Sequence, residues 1–251
     1  MPLRNIPIGN RGGKDEGIGP QRQRRAGKGL TARLLAALTR GLEQGGAAVT
    51  VREVARLKVA PCVACLKCML KTPGVCAQND DMQLLYPELQ AADLLVLAAP
   101  VYTDNMSAQL KAVIDRCISC MQPFLARGPD GRVRHPLNWS MPAGMLLLST
   151  CSFPEPATFA PLIATFRQQA ANFHSASLGE LCLPGSLALQ MRPQRLAGHL
   201  NLLARAGGHL ARQEPIPLPL LLAINRPPLS LDEYWEICQD YEAACRQRLG
   251  G

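Results

Sequence analysis

Residues 61–116 read PCVACLKCMLKTPGVCAQNDDMQLLYPELQAADLLVLAAPVYTDNMSAQLKAVIDR, and the second half of this stretch decides the fold. Leu94 to Ala98 is an unbroken apolar run, the pattern of a strand buried on both faces of a parallel sheet. A helix precedes it, with Asn79 as its cap, Asp80 and Asp81 in its first turn, and Pro87 as a kink. A second helix follows from Ser107, with Leu110, Ile114, Cys117, Ile118 and Met121 on one stripe. Helix, buried strand and helix in succession predict an α/β layer architecture.

The first half of the stretch carries chemistry. Cys62, Cys65 and Cys68 stand at three-residue intervals, and Cys76 follows. A core cysteine is a small hydrophobe and has no reason to cluster in this way. A tight loop with one more distant thiol can wrap an iron–sulfur cube, which takes thiolates from several directions. Structural zinc usually draws on two separated pairs. The Cys117 and Cys120 pair, embedded in a helix, lacks the electropositive setting that activates thiols and reads as core.

Working outward, Ala48 to Val54 is a β-branched strand that leads through Leu57 and Val59 into the cysteine loop, spanning 61–78. The thiols thus follow a strand's C-terminal end, where open α/β sheets bind ligands. Leu30 to Gly45 is an amphipathic helix preceded by glycine-rich sequence. Residues 1–16 contain no apolar run long enough for a buried strand, so they are expected to be disordered or loosely attached and the sheet to lack a regular first strand. Downstream, 122–143 reads as a basic loop, a lid or an interface, and Met145 to Ser149 as a third core strand. A helix through Phe159, Leu162, Ile163 and Phe166 precedes a strand over about 178–189 and a helix over about 193–212. Five prolines between 215 and 228 predict a stiff connector, and Ser230 with Glu233 a capping box opening a last helix. Cys182, Cys238 and Cys245 read as buried fillers. The expected organisation is a loose N-terminus (1–16), one α/β domain (17–212) and a C-terminal helical extension (213–251).

The cysteine run, Asp80-Asp81-Met82, Ala92-Asp93, Pro100-Val101-Tyr102, and Ser107-Ala108-Gln109-Leu110-Lys111 through Asp115-Arg116 resemble the iron–sulfur flavoprotein branch of the flavodoxin-like, NAD(P)H-dependent FMN reductases. That resemblance implies a flavodoxin-like, doubly wound parallel sheet. It implies an FMN phosphate near Gly19, Gly29 and Thr31, at a helix N-terminus. Pro100, Val101, Tyr102, Met106 and Ser107, with Thr150 and Cys151, would carry the flavin ring, and Cys62, Cys65, Cys68 and Cys76 a [4Fe-4S] cluster. The chain departs from the family pattern at Gly19, Gln21, Leu30 and Ser152. Further implications are NAD(P)H or a ferredoxin-type carrier as electron donor, and a homo-oligomer. Two alternatives stand beside this reading: an FMN reductase without a cluster, and a non-enzymatic zinc-binding module.

Composition limits the other classes. The chain has 251 residues, is 47% hydrophobic, and shows no apolar leader and no apolar run of membrane-spanning length, so a cytoplasmic location is expected. Its net charge of +8 is concentrated in residues 1–28, which hold seven Arg or Lys against Asp15 and Glu16. That segment has no aromatic residue, which argues against nucleic-acid binding. His135, His174, His199 and His209 are scattered, and no acid/base catalytic constellation appears.

Overall fold

The computed structural model describes residues 4–9, 29–128 and 130–249. The elements in chain order are β1 (Arg4–Gly9), α1 (Leu30–Gln44), β2 (Ala48–Val49), α2 (Lys67–Leu70), α3 (Met82–Ala91), β3 (Leu94–Pro100), α4 (Ala108–Arg116), β4 (Ala126–Arg127), β5 (Val133–Arg134), β6 (Gly144–Thr150), α5 (Ala160–Asn172), β7 (Ala176–Leu183), α6 (Ser186–Met191), α7 (Ala197–Ala211), α8 (Leu218–Asn225) and α9 (Leu231–Leu249). Five parallel strands form one sheet in the order β2-β1-β3-β6-β7. Taken as sequential strands this is the 2-1-3-4-5 order of flavodoxin-like folds, whose winding reverses between β1 and β3.

Alternation along the strands divides the core. Leu95, Leu97 and Ala99 of β3 and Met145 and Leu147 of β6 face one layer, with Leu85 and Leu89 of α3, Leu110 and Ile114 of α4, and Leu162 and Phe166 of α5. Leu94, Val96 and Ala98, with Leu146 and Leu148, face the other layer, which holds α1, α7 and α8. Every β3 residue from Leu94 to Ala99 is buried, as a strand covered on both sides requires. On the second face α1 and α7 cross backbone to backbone. A Cβ placed on Gly207 would lie 2.3 Å from the Leu38 carbonyl oxygen, and one on Gly41 would lie 1.9 Å from that of Ala204.

Several expectations need correction. The first strand is present: β1 pairs in parallel with β2 and β3, with Asn5 opposite Leu94 and Gly9 opposite Ala98. Its Arg-Asn-Ile-Pro-Ile-Gly sequence lacks an apolar run, and backbone pairing to two neighbours supplies what periodicity does not signal. The expected strand 48–54 is a regular strand only at Ala48–Val49, with one bridge residue at Arg52 before a 3-10 turn at Val54–Arg56. The strand expected over 178–189 ends at Leu183, because Gly185 adopts a left-handed conformation (φ +69°) and α6 begins at Ser186. Within the expected proline connector, Pro217 and Pro219 open α8 instead of blocking it, since a first-turn proline gives up no helical hydrogen bond. Leu220 and Ile224 of α8 are buried in the core. Cys238 and Cys245 are half-buried, and only Cys182 of the three expected fillers is buried. The capping box forms as read: Ser230 Oγ accepts from Glu233 N (3.2 Å), and Ser230 N donates to Glu233 Oε2 (2.9 Å).

Candidate functional site

Two groups of candidate residues lie toward opposite ends of α4, a nine-residue helix about 14 Å long at 1.5 Å per residue. At its N-terminal end, the chain leaves β3 at Pro100 and makes a tight turn. Tyr102 N donates to Asn105 O (2.8 Å) and Asn105 N to Tyr102 O (3.1 Å), while Thr103 (φ +45°) and Asp104 (φ +61°) are both left-handed. This is a two-residue turn of the I′ kind, strained for residues other than glycine. It leaves Tyr102 62% exposed. Asn105 fixes the turn, accepting from Met106 N (2.9 Å) and donating to Thr165 Oγ1 (3.2 Å). Ser107 caps α4, its Oγ accepting from Leu110 N (3.4 Å).

The loop after β6 stands beside this turn, since Val101 N donates to Thr150 O (2.8 Å). Thr150 Oγ1 is hydrogen-bonded to Thr31 Oγ1 at 2.7 Å, which brings the first turn of α1 to the end of β6. Gly29, the N-cap of α1, gives that helix no side-chain cap, and its first turn holds no acidic residue. An uncapped helix N-terminus offers N–H groups and a partial positive charge to an anion. Phe153 is 60% exposed near this loop. Cys151 is used differently: its N–H donates to Leu183 O (3.2 Å), its carbonyl accepts from Ser186 N (2.8 Å), and its thiol, raised by burial, joins the core. Met106 is likewise buried in the core, and Gly19 lies outside the described residues.

At the other end of α4, Cys62, Cys65, Cys68 and Cys76 line one concavity, together with Arg116 and Ile118. Within the cysteine loop Ala64 (φ +50°) and Leu66 (φ +55°) are left-handed, costing roughly 1–2 kcal/mol each. Left-handed residues at alternate positions are the backbone pattern of concavities that hold phosphates and iron–sulfur groups. The loop is held from several sides. Trp139 Nε1 donates to Gly74 O (3.1 Å), where Gly74 requires φ +83°, and Gln78 Nε2 donates to Pro61 O (3.2 Å). Asp80 accepts from Ala60 N (3.0 Å) and Met82 N (3.1 Å), so Asp80 supplies the side-chain acceptor at the start of α3 that Asn79 was expected to give. Burial pushes the Cys68 thiol up, and the neighbouring Cys76, Cys62 and Cys65 sulfurs push it the same way. Burial also drives the Cys120 thiol to about 12, and Cys117 higher still, which agrees with reading both as core. Among the described residues, no three His, Cys, Asp or Glu side chains converge on one point as a single-ion site requires.

A family model described as NADPH-dependent FMN reductase matches residues 24–135, which span α1, the cysteine loop, β3 and α4. This segment is similar to that family. The chain is 38% identical over 92 residues to an iron–sulfur flavoprotein of Methanocaldococcus jannaschii, covering 36% of this chain and 46% of that one. It is 37% identical over 99 residues to an iron–sulfur flavoprotein of Methanosarcina thermophila, covering 39% and 48% respectively. The chain therefore spans about half the length of the curated relatives it matches. Among solved structures it resembles the NAD(P)H:quinone oxidoreductase of Methanothermobacter marburgensis, with TM-score 0.58, 13% identity, and coverage of 84% and 98%. It also resembles an azoreductase of Bacillus anthracis, with TM-score 0.54, 11% identity, and coverage of 84% and 99%. At these identities the structural likeness establishes the flavodoxin-like fold. The FMN reductase segment ends before β6, so Thr150 and the α1 contact it makes through Thr31 lie partly beyond it.

Sequence reading passed over several residues that organise these sites. Arg116 was noted for resemblance and given no role, although its side chain is fully buried against Asp80. Trp139 was also missed, and Thr103-Asp104 was read only as part of the strand-to-helix loop from Pro100 to Ser107. An arginine continuing the apolar stripe of α4 was the available signal for the first, and Asp-Asn after a strand for the last.

Proposed function

We propose that this chain is an FMN-dependent oxidoreductase that passes electrons between NAD(P)H, or a reduced carrier, and an acceptor through FMN and a [4Fe-4S] cluster. The observation that carries the reading is the enclosure of one concavity by Cys62, Cys65, Cys68 and Cys76. The thiols surround a volume and do not close on a point. That suits a cube with a thiolate at each corner better than zinc, which draws its sulfurs to about 2.3 Å from one centre. The donor set is all sulfur, as such clusters use.

When bound, flavin accepts a hydride as an electron pair and a cluster takes electrons singly, so the two together convert between them. The chain's own groups would do the following. The uncapped N-terminus of α1, with Gly29 and Thr31, and Gly19 from the preceding segment, would hold the FMN phosphate. The Thr31–Thr150 hydrogen bond fixes that terminus against the ring loop. Pro100, Val101, Tyr102, Met106, Ser107, Thr150 and Cys151 would form the walls of the ring site, with Met106 and Cys151 acting through packing and backbone position. Tyr102 and Phe153 offer exposed aromatic faces there.

Val63, Leu66, Leu70 and Val75 on the cysteine loop are 44–67% exposed, an apolar rim that fits coverage by a second copy. A homo-oligomer with this rim at its interface is therefore part of the proposal. No helix among the described residues is long and apolar enough to cross a membrane.

The test is the visible spectrum of anaerobically purified protein before and after dithionite, with iron and sulfide analysis. Flavin bands on a broad brown absorption, both bleaching, support the reading. Cys68→Ser should remove the brown absorption and spare the flavin. A colourless chain after reconstitution with FMN, iron and sulfide overturns the proposal.

A further inference from the structure

One buried donor of the cysteine site has no acceptor. Arg116, the last residue of α4, has a side chain that is 0% exposed. Its Nη1 donates to Ala60 O (2.9 Å) and Asp80 Oδ2 (2.7 Å). Its Nη2 donates to Asp80 Oδ1 (3.2 Å) and Gln78 O (3.5 Å). Ala60 stands two residues before Cys62 and Gln78 two after Cys76, so one guanidinium ties both ends of the loop that carries the four thiols. The remaining donor, Nε, is buried and has no hydrogen-bond partner among the described residues. Yet Arg116 is among the residues that line the thiol concavity.

An unpartnered buried donor costs about 1–3 kcal/mol, more when charged, and such groups persist where a ligand completes them. The acceptors along this concavity include the four cysteine Sγ atoms and would include any sulfide held between them.

We propose that Arg116 is the positioning residue of the cysteine site, its terminal nitrogens holding the loop closed and its Nε–H donating to a sulfur of the iron–sulfur group held by Cys62, Cys65, Cys68 and Cys76. This rests on the cluster reading above. A hydrogen bond to a cluster or ligand sulfur stabilises the more negative, reduced state and so raises the reduction potential. Lysine keeps the positive charge but has one nitrogen, which cannot both bridge the loop ends and reach the sulfur.

The experiment compares wild type with Arg116→Lys in an EPR-monitored redox titration, with iron, sulfide and FMN content measured on the same samples. The expected result is retained FMN, iron near the wild-type content, and a midpoint potential shifted to a more negative value. Wild-type protein carrying arginine labelled with nitrogen-15 only in the guanidino group gives a second readout. Pulsed EPR of its reduced state should show a nitrogen-15 coupling, and Arg116→Lys should lack it. An unchanged potential in an iron-loaded variant, or no coupling in loaded wild type, overturns the role of Arg116 and leaves the cluster reading standing. A wild-type chain that takes up no iron overturns both. Should Arg116→Lys fail to fold or load, the coupling in wild type decides.

Discussion

The carboxylate of Asp80 answers a buried charge. Burial alone would raise its pKa, but Arg116 and the N–H groups of Ala60 and Met82 outweigh burial and hold it below the ordinary carboxylate range. Asp80→Asn strands the guanidinium of Arg116 in the interior, and breaking such a pair costs about 3–5 kcal/mol. We expect a loss of that size in urea unfolding at pH 7. The sign in acid follows from linkage. A carboxylate with a depressed folded pKa stabilises fully above its unfolded value, about 3.9, and that contribution disappears as pH falls through the lower folded value. Wild-type urea midpoints should therefore lose the Asp80 contribution only below about pH 4. The variant, already weaker, should show a shallower acid decline over that window; an equally steep one would place the effect on other groups.

Among elements, the α1–α7 crossing gives the sharpest test of packing. Gly207 and Gly198 both lie in α7, yet a Cβ on Gly207 would meet the Leu38 carbonyl oxygen at 2.3 Å and one on Gly198 would meet nothing within 4 Å. Gly207→Ala should destabilise by about 1–3 kcal/mol through overpacking. Gly198→Ala should stabilise by about 0.5–1 kcal/mol, because alanine is the better helix former and meets no obstacle. Opposite shifts of melting temperature for one substitution in one helix are the expected outcome. The same logic explains α8: its leucines were visible in the sequence, but the prolines at its start dominated the reading until Leu220 and Ile224 found a core to enter.

For the whole molecule, β1 is the hinge of the topology. It lies between β2 and β3, so removing residues 1–9 would leave β3 with an open edge along Leu94 to Ala98 and β2 without its partner. An exposed, flat, apolar edge is an aggregation site. A chain beginning at residue 10 should accumulate as insoluble protein or lose cooperative unfolding, as read by sedimentation and circular dichroism. A soluble, cooperatively folded truncate would mean that β1 is dispensable to the sheet.

By itself the sequence determined the α/β plan, because Leu94 to Ala98 and Met145 to Leu148 are apolar at every position, as a strand covered on both faces requires. It likewise determined the cysteine loop, since the spacing of four thiols is a local property. Tertiary structure alone decided β1, whose place comes from backbone hydrogen bonds to two neighbours and not from side-chain pattern. It alone joined Thr31 to Thr150 across 119 residues and put Arg116 between Ala60 and Gln78, because contacts between residues so far apart in the chain leave no period to read.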